Sequence, residues 1–342
     1  MEKDILVFSG EASDDLAKAV CSEMAQISRE RDEISTRFVE CKKRDWFNER
    51  TPCVQLGHLR DAAAVVFIQS LMPMDSCFVQ LCAMIDAAVR ASAQKIIVVM
   101  PYFPGRQDKK DDPWVDITSA WVLPALEERG GEKLERFISF DLHSGQIQGY
   151  AKRPFDHLTA LPVLISYLKR ERNINLKDVT LVSPDAGGVK RVRDLSRMAK
   201  TANIVIIDKE RSAPGESVVR EVIGNPGRIS VIVDDIGDTL GTILEAAKAI
   251  KKKNALASVY ALLSHAVLGG EKKRERALDN VRNEAIDHLV VSDTVRVPEV
   301  FLETGKVSVV SVAPLLASAL ERILTGGSIN EMFLTLTKRL DL

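Results

Sequence analysis

Several features that mark specialised protein classes are missing from this sequence. Its 342 residues contain 47 Lys and Arg against 48 Asp and Glu, so neither sign of charge is in excess. That balance argues against a protein whose whole surface binds nucleic acid or membrane, although local basic pockets remain compatible with it. The five cysteines form no C-x-x-C pair, and therefore imply neither a disulfide framework nor a zinc site.

Long hydrophobic runs are lacking as well. The longest, such as 96–100 and 289–291, fall far short of the roughly 20 apolar residues that span a bilayer. The start of the sequence has no secretory signal pattern, and its end is neither a retention nor a peroxisomal address. We therefore expect a cytoplasmic protein with no membrane partner and no nucleic-acid partner.

The sequence instead alternates short β-branched runs with amphipathic stretches, a pattern typical of α/β proteins with parallel sheets. The length suggests about two domains, with a division near 153–154. Helices are predicted at 14–31 and 75–90, and irregular, mobile stretches at 104–116 and 209–217. Strands are predicted at 5–8, 65–69, 95–100, 137–140, 179–182, 204–207, 231–233, 258–262 and 289–291.

The most informative local pattern is VIVDDIGDTLGT at 231–242, where a buried strand ends in two acids and a short loop opens a helix. Such a loop directs backbone N–H groups and hydroxyls at one point, and the helix dipole favours an anion there. This indicates a phosphate site formed by Asp238, Thr239, Leu240, Gly241 and Thr242. Asp234 and Asp235 would then bind sugar hydroxyls or a metal-bound sugar. The simpler alternative is a capped helix beside a solvated strand end.

Four further segments stand in an order that narrows the interpretation: 103–110 (FPGRQDKK), 141–149 (DLHSGQIQG), 182–189 (VSPDAGGV) and 208–211 (DKER). Together with the loop they resemble the motifs of the ribose-phosphate pyrophosphokinase family. The resemblance implies two similar phosphoribosyltransferase-type domains, each a mainly parallel sheet flanked by helices. The expected limits are 1–155 with 325–342 for the ATP side, and 156–324 for the ribose 5-phosphate side.

The activity that this resemblance implies is transfer of the diphosphoryl group of ATP to the C1 hydroxyl of ribose 5-phosphate. The products are phosphoribosyl pyrophosphate, used in nucleotide biosynthesis, and AMP. Magnesium is the implied cofactor, and homo-oligomers of dimers assembled into hexamers are the implied state. The residues that match family positions are Arg106, Gln107, Phe47, Glu49 and His143 for ATP, His143, Asp185 and, more weakly, Asp141 for the metal, and Lys209 and Arg211 for catalysis.

Residue patterns alone leave simpler alternatives open. A single strand-end histidine is more often structural than a ligand, and two cations on a loop usually serve solubility. The segment that starts at Phe47 is FNERT, whereas the family typically has F-x-[DN]-x-E. We therefore expect recognition of the adenine base to differ from that of the family. Gly145, His157 and Asp61 replace the Ser, Asn and Arg of the family's regulatory phosphate site, and this predicts altered allostery.

Two other functions are compatible with parts of the sequence. A catalytically weak or inactive, synthetase-associated regulatory subunit would explain the departure around Phe47. The intact catalytic motifs argue against it. A salvage phosphoribosyltransferase shares the phosphate loop but explains neither the Arg106 segment nor the length.

Overall fold

Two sheets of buried, β-branched strands organise the fold. The computed structural model describes residues 3–31, 34–106, 108–109, 113–213, 216–340 and 342, including their side chains except at 3, 29–31, 210–213, 216–218 and 339. Each sheet belongs to one unit: Met1–Leu158 with Val312–Met332, and Thr159–Ser311 with Phe333–Leu342.

The first unit contains a six-stranded sheet. Its elements in chain order are β1 (Lys3–Ser9), α1 (Asp14–Arg31), β2 (Ile34–Phe38), β3 (Lys43–Trp46), β4 (Pro52–Gln55), β5 (Ala64–Ile68), α2 (Met74–Arg90), β6 (Ile96–Met100), α3 (Thr118–Gly130), β7 (Leu134–Phe140) and β8 (Phe155–Leu158). Six of these strands form the sheet, in the order β2-β1-β5-β6-β7-β8, and pair in parallel. The β5 and β6 segments, AVVFI and IIVVM, are buried at every position, as expected for parallel strands covered on both faces.

The second unit contains a seven-stranded sheet. Its elements are α4 (Leu161–Glu171), β9 (Val179–Ser183), α5 (Val189–Ala199), β10 (Asn203–Ala213), β11 (Glu216–Ile223), β12 (Ile229–Gly237), α6 (Gly241–Lys253), β13 (Ser258–Ala266), α7 (Arg274–Arg282), β14 (His288–Ser292), α8 (Glu299–Leu302) and β15 (Val307–Val310). The order is β11-β10-β9-β12-β13-β14-β15, and within this sheet β10–β11 is the only antiparallel pair among the described residues.

The two sheets repeat one topology. In chain order within each unit, the parallel strands follow the arrangement 2-1-3-4-5-6, with a hairpin inserted after the second strand. That hairpin is β3–β4 in the first unit and involves β10–β11 in the second. Strand order reverses between β9 and β12, and in open parallel sheets ligands bind beside the carboxyl ends of strands at such a point. The predicted fold of two similar, mainly parallel α/β domains is therefore confirmed.

The nine predicted strands and both predicted helices are present, and α1 has the predicted limits. Sequence patterns missed β2, β3, β4, β8, β11 and β15, which are short or lie at edges where polar residues break the apolar run. The prediction of an irregular segment at 209–217 was wrong. Apart from 214 and 215, which lie outside the described residues, this segment forms part of an antiparallel ribbon that pairs Ile206 with Ile223 and Ala213 with Glu216.

The chain ends with α9 (Ala313–Thr325) and α10 (Ile329–Arg339). Helix α9 packs against α1, and the first unit resumes at Val312. The end of the chain belongs to the second unit, where Lys200 Nζ donates to the carbonyl oxygen of Leu342 at 2.8 Å. In the described part of the chain, no helix is both long enough and apolar enough to cross a membrane.

Candidate active site

The carboxyl end of β12 leads into the predicted phosphate loop. Val231, Ile232 and Val233 are fully buried, which fixes the strand in the sheet interior. The loop turns at Leu240, whose φ of 61° is in the left-handed region and whose side chain is buried. Helix α6 begins at Gly241, so the unpaired N–H groups of its first turn lie at the end of the loop. This geometry can bind a phosphate group through backbone donors.

Asp234 and Asp235 at the end of β12 share one cation. Arg191 on α5 places Nη1 3.0 Å from Asp234 Oδ1 and Nη2 3.2 Å from Asp235 Oδ1. Burial, followed by the neighbouring Asp235, raises the pKa of Asp234 well above its usual range, while Arg191 opposes that shift. The pair therefore presents acceptor oxygens, and after protonation a donor, suited to sugar hydroxyls.

Asp185 follows β9 in a tight turn before α5. Ser183 Oγ donates to the Asp185 carbonyl oxygen at 2.7 Å, and Gly188 N donates to Asp185 Oδ1 at 2.9 Å. A Cβ on Gly188 would lie 2.8 Å from Ser183 Oγ, so a side chain there would displace the hydroxyl that binds the Asp185 carbonyl oxygen. Because β9 and β12 are neighbours, Asp185 lies close enough to Asp234 to contribute to the raised pKa of Asp234.

Lys209 on β10 reaches the same end of the sheet. Its Nζ donates to the carbonyl oxygen of Thr242, in the first turn of α6, at 3.0 Å. Burial lowers the pKa of the Lys209 amine, and the carboxylates of Asp185, Asp234 and Glu245 oppose that shift. The structure thus brings a lysine, two aspartates and a helix N-terminus together at the point where the strand order of the second sheet reverses.

In the first unit, the Arg106 segment follows β6 and His143 follows the neighbouring strand β7. The two segments are close, because a Cβ on Gly105 would lie 3.8 Å from Cβ of His143. Tyr150 Oη donates to the carbonyl oxygen of Asp108 at 2.7 Å and holds the segment beside β7. Both the Arg106 and His143 side chains are exposed, so an imidazole and a guanidinium are accessible at one sheet edge.

Phe47 lies at the turn of the β3–β4 hairpin. Its N–H donates to the carbonyl oxygen of Thr51 at 2.9 Å, and Arg50 turns the chain with a φ of 65°. The ring is 51% exposed, with Lys43 Nζ 5.4 Å from its centroid. Glu49 is exposed on the same turn. The ring face is thus accessible for stacking on a planar group.

Comparison with known proteins adds a second kind of observation. Residues 5–130 match the family model described as the N-terminal domain of ribose phosphate pyrophosphokinase, and residues 171–334 match the one described as the phosphoribosyl synthetase-associated domain. The ribose-phosphate pyrophosphokinase of Xanthomonas axonopodis pv. citri is 34% identical over 338 residues, which are 97% of this chain and 98% of that protein. This chain belongs to the ribose-phosphate pyrophosphokinase family.

Two further comparisons agree with membership of the ribose-phosphate pyrophosphokinase family. The enzyme of that name from Bacillus cereus is 40% identical over 272 residues, covering 79% of this chain and 81% of that protein. The crystal structure of phosphoribosylpyrophosphate synthetase from Mycobacterium smegmatis matches with a TM-score of 0.76 at 26% identity. The match covers 95% of this chain and all of that one.

Within this pyrophosphokinase family member, the predicted site residues fall into two sets. The second unit groups Lys209, Asp185 and the acids and loop of 234–242. The first unit groups Arg106 with His143, beside Asp141, whose φ is 32° and whose N–H donates to the Leu158 carbonyl oxygen at 2.9 Å. Gln107 lies outside the described residues. Arg211 pairs with Ser217 through its backbone, but its side chain is outside the described part.

A metal centre made by protein side chains alone is not present in the described part of this pyrophosphokinase family member. No group of three or more His, Cys, Asp or Glu side chains is arranged there to hold an ion. The candidate ligands are separate carboxylates and one imidazole, of which Asp141 is buried and His143 exposed. Such a donor set fits an ion whose remaining ligands come from substrate phosphates and water.

The three positions that predict altered regulation in this family member all lie in the first unit. His157 lines a cavity of about 570 Å³ together with Gln148, Ser328 and Asn330. Its Nε2 accepts a hydrogen bond from the N–H of Leu142 at 2.8 Å, which turns the ring toward the β7 end. Asp61 is exposed and its Oδ2 lies 3.5 Å from His58 Nδ1, while Gly145 opens a short 3-10 helix.

Sequence reasoning missed Arg191, the cation that joins the two strand-end acids. The sequence feature that could have identified Arg191 is its place in the first turn of the helix after SPDAGG. A basic residue there, on the helix after β9, can reach the end of the neighbouring strand β12. Because its partners Asp234 and Asp235 are 43 and 44 residues away in sequence, neither periodicity nor motif spacing identifies these contacts.

Proposed function

We propose that this protein transfers the diphosphoryl group of ATP to the C1 hydroxyl of ribose 5-phosphate, giving phosphoribosyl pyrophosphate and AMP. The observation that carries the proposal is the convergence of Lys209, Asp185 and Asp234 on the loop before α6, in a chain whose relatives are named ribose-phosphate pyrophosphokinase. The product serves nucleotide biosynthesis. The work of the protein is to position two phosphorylated substrates and to balance charge on their oxygens.

Ribose 5-phosphate binds to the second unit in this proposal. The loop formed by Asp238, Thr239, Leu240, Gly241 and Thr242 holds the 5-phosphate through backbone N–H groups and hydroxyls. Asp234 and Asp235 accept hydrogen bonds from the ring hydroxyls, with Arg191 limiting the repulsion between the two carboxylates. A sugar phosphate suits this site because it combines an anion for the helix N-terminus with hydroxyls for the acids.

ATP binds mainly to the first unit. Arg106 and Gln107 contact its phosphate chain, since a guanidinium fork binds phosphate oxygens bidentately. His143 lies beside this segment, and Phe47 with Glu49 contacts the base. The proposed domain limits are those expected from the resemblance, 1–155 with 325–342 and 156–324, whereas the compact units change at Val312 and Phe333.

Lys209 and Arg211 provide the positive charge for the transfer. In the structure Lys209 Nζ binds the Thr242 carbonyl oxygen, so its ammonium group already lies at the first turn of α6. Moving it onto the transferred phosphate would supply charge where negative charge develops.

Magnesium is the proposed ion, held by His143, Asp185 and more weakly Asp141 together with phosphate oxygens and water. When bound, it would neutralise negative charge on the phosphate chain.

The proposed setting is the cytoplasm, and the proposed assembly is a homo-oligomer built from dimers into a hexamer. Analytical ultracentrifugation of the purified protein tests the assembly, and a monomer would contradict it.

The test of the proposed function is AMP release from ATP, magnesium and ribose 5-phosphate. We expect wild-type protein to form AMP and phosphoribosyl pyrophosphate in equal amounts. Lys209→Ala should lower kcat by at least about a hundredfold with a smaller change in KM, because the contact is made mainly in the transition state. Lys248→Ala, an exposed lysine on α6 paired with Glu245 at 3.0 Å, is the matched control.

Two results would contradict this proposal. Well-folded wild-type protein that releases no AMP would instead favour a synthetase-associated regulatory subunit. Wild-type turnover in Lys209→Ala would remove Lys209 from catalysis.

Regulation is tested separately, because Gly145, His157 and Asp61 depart from the family's phosphate site. We expect weak inhibition by ADP, and strong ADP inhibition reversed by phosphate would contradict that expectation.

A further inference from the structure

The loop at 238–242 is held from outside by a side chain that contributes nothing to its sequence motif. Asn280 Nδ2 on α7 donates to the carbonyl oxygen of Thr239 at 2.7 Å. This hydrogen bond joins residues 41 positions apart and is partly shielded from solvent. A short amide contact in such surroundings is a specific restraint on the orientation of one peptide group.

Helix α7 offers a rigid base for this contact. Ala277 and Val281 are fully buried and belong to the same apolar cluster as Leu240 and Ile243 of the loop and α6. The chain enters α7 through a turn in which a Cβ on Gly269, at φ 76°, would lie 2.3 Å from the carbonyl oxygen of Lys273. Asn280 is therefore presented by a helix whose position is set by this packing and by the tight turn before it.

The restrained peptide group lies at the strained point of the loop. Leu240 has a φ of 61°, a left-handed conformation that a non-glycine residue keeps only where its surroundings enforce it. The Thr239–Leu240 peptide bond is trans, so its C=O and N–H point in opposite directions. Because Asn280 binds the Thr239 carbonyl oxygen on the side of α7, the Leu240 N–H points away from α7.

We propose that Asn280 is a positioning residue that orients the Leu240 N–H as a donor to the phosphate of ribose 5-phosphate. This inference rests on the proposed function, because it assumes that the loop binds that phosphate. Asn280 makes no contact with substrate in it. Its effect is to keep a backbone donor directed at the anion before binding, so that less loop ordering is needed when the substrate arrives.

The test uses Asn280→Asp, which keeps the size of the side chain but replaces the donating amide with an acceptor. We expect the KM for ribose 5-phosphate to rise about tenfold, the effect of losing roughly one well-placed hydrogen bond. The KM for ATP should stay within about twofold. Asn280→Gln, which keeps the amide on a longer stem, should recover part of the loss.

Asn283→Asp is the matched control, because it makes the same chemical change at the end of α7. The Oδ1 of Asn283 accepts from the N–H of Ala285 at 3.0 Å, and a carboxylate keeps that bond. Its kinetics should match wild type. Thermal unfolding of all variants is measured in parallel to compare the integrity of α7.

The outcomes separate this inference from the proposed function. If wild-type protein neither binds ribose 5-phosphate calorimetrically nor releases AMP, both fail together. If wild-type protein is active and Asn280→Asp keeps its KM for ribose 5-phosphate, only the positioning role fails. Equal rises in KM for both substrates, or the same loss in Asn283→Asp, would also overturn it, since those results indicate general damage to the fold.

Discussion

Removal of the cation between the two strand-end acids tests the electrostatics of the site. Arg191 contacts Asp234 at 3.0 Å and Asp235 at 3.2 Å, and the acid side chains are only 16% and 5% exposed. Arg191→Met keeps an unbranched, apolar stem but leaves two buried carboxylates without their cation. Breaking a buried pair in this way costs about 3–5 kcal/mol, so we expect a loss of that size in unfolding free energy at pH 8.

The loss should shrink in acid. Because the pKa of folded Asp234 is raised above its unfolded value, its contribution to stability is complete below the unfolded pKa and is lost as pH rises through the folded pKa. Without Arg191 the folded pKa rises further, so lowering the pH protonates Asp234 more readily in the variant and removes the uncompensated charge. The difference between wild type and variant should therefore be smaller at pH 5.5 than at pH 8.

Urea denaturation at both pH values measures this difference, and hydrogen-exchange protection of β12 amides localises it to the second unit. Arg197→Met on the same helix is the control. Its partner Asp194 is 3.3 Å away, and their side chains are 78% and 39% exposed. Such a surface pair is worth less than about 1 kcal/mol. A loss for Arg191→Met that is independent of pH, or no larger than that of Arg197→Met, would refute the reasoning.

Two further predictions concern the second unit. His288 contacts Arg172, and burial, followed by that guanidinium, lowers its pKa from 6.5 to about 4. The contribution of neutral His288 to stability is therefore present above pH 6.5 and is lost as pH falls toward 4. Between pH 7 and 5, the unfolding free energy of His288→Gln should fall by about 2 kcal/mol less than that of wild type. Equal pH dependence of the two proteins in urea denaturation would contradict this. Gly269→Ala should lower the Tm more than Gly305→Ala. Both glycines have positive φ, but of the two only Gly269 has backbone within 2.3 Å of an added Cβ. Equal decreases in Tm would show that backbone strain from the positive φ accounts for the whole loss.

Local patterns predicted much of the fold. The β12 strand, its two acids, the loop and α6 are contiguous in sequence, so the whole unit from 231 to 253 could be recognised without a structure. The limits of α1 were also predictable, because Leu16, Val20 and Met24 repeat at helical spacing and are all buried. Edge strands such as β8 and β15 were not, since their apolar runs are short and half-exposed.

The ribbon around Lys209 shows a different limit. Its charged residues read as an irregular loop, yet β10 continues to Ala213 and pairs with β11. The extension depends on cross-strand hydrogen bonds between backbone groups, which place little demand on the side chains. A polar hairpin of this kind has no alternating apolar signal by which it could be predicted.

The sequence by itself determined the alternation of strands and helices, the loop before α6 and the family to which the motifs belong. Only the tertiary structure placed Arg191 between Asp234 and Asp235, Lys209 against Thr242 and Asn280 against Thr239, across separations of 43, 33 and 41 residues. The physical reason is that local conformation follows from neighbouring residues, whereas these contacts depend on the order of parallel strands in the sheet. That order sets which strand ends, and which side chains, meet at one edge.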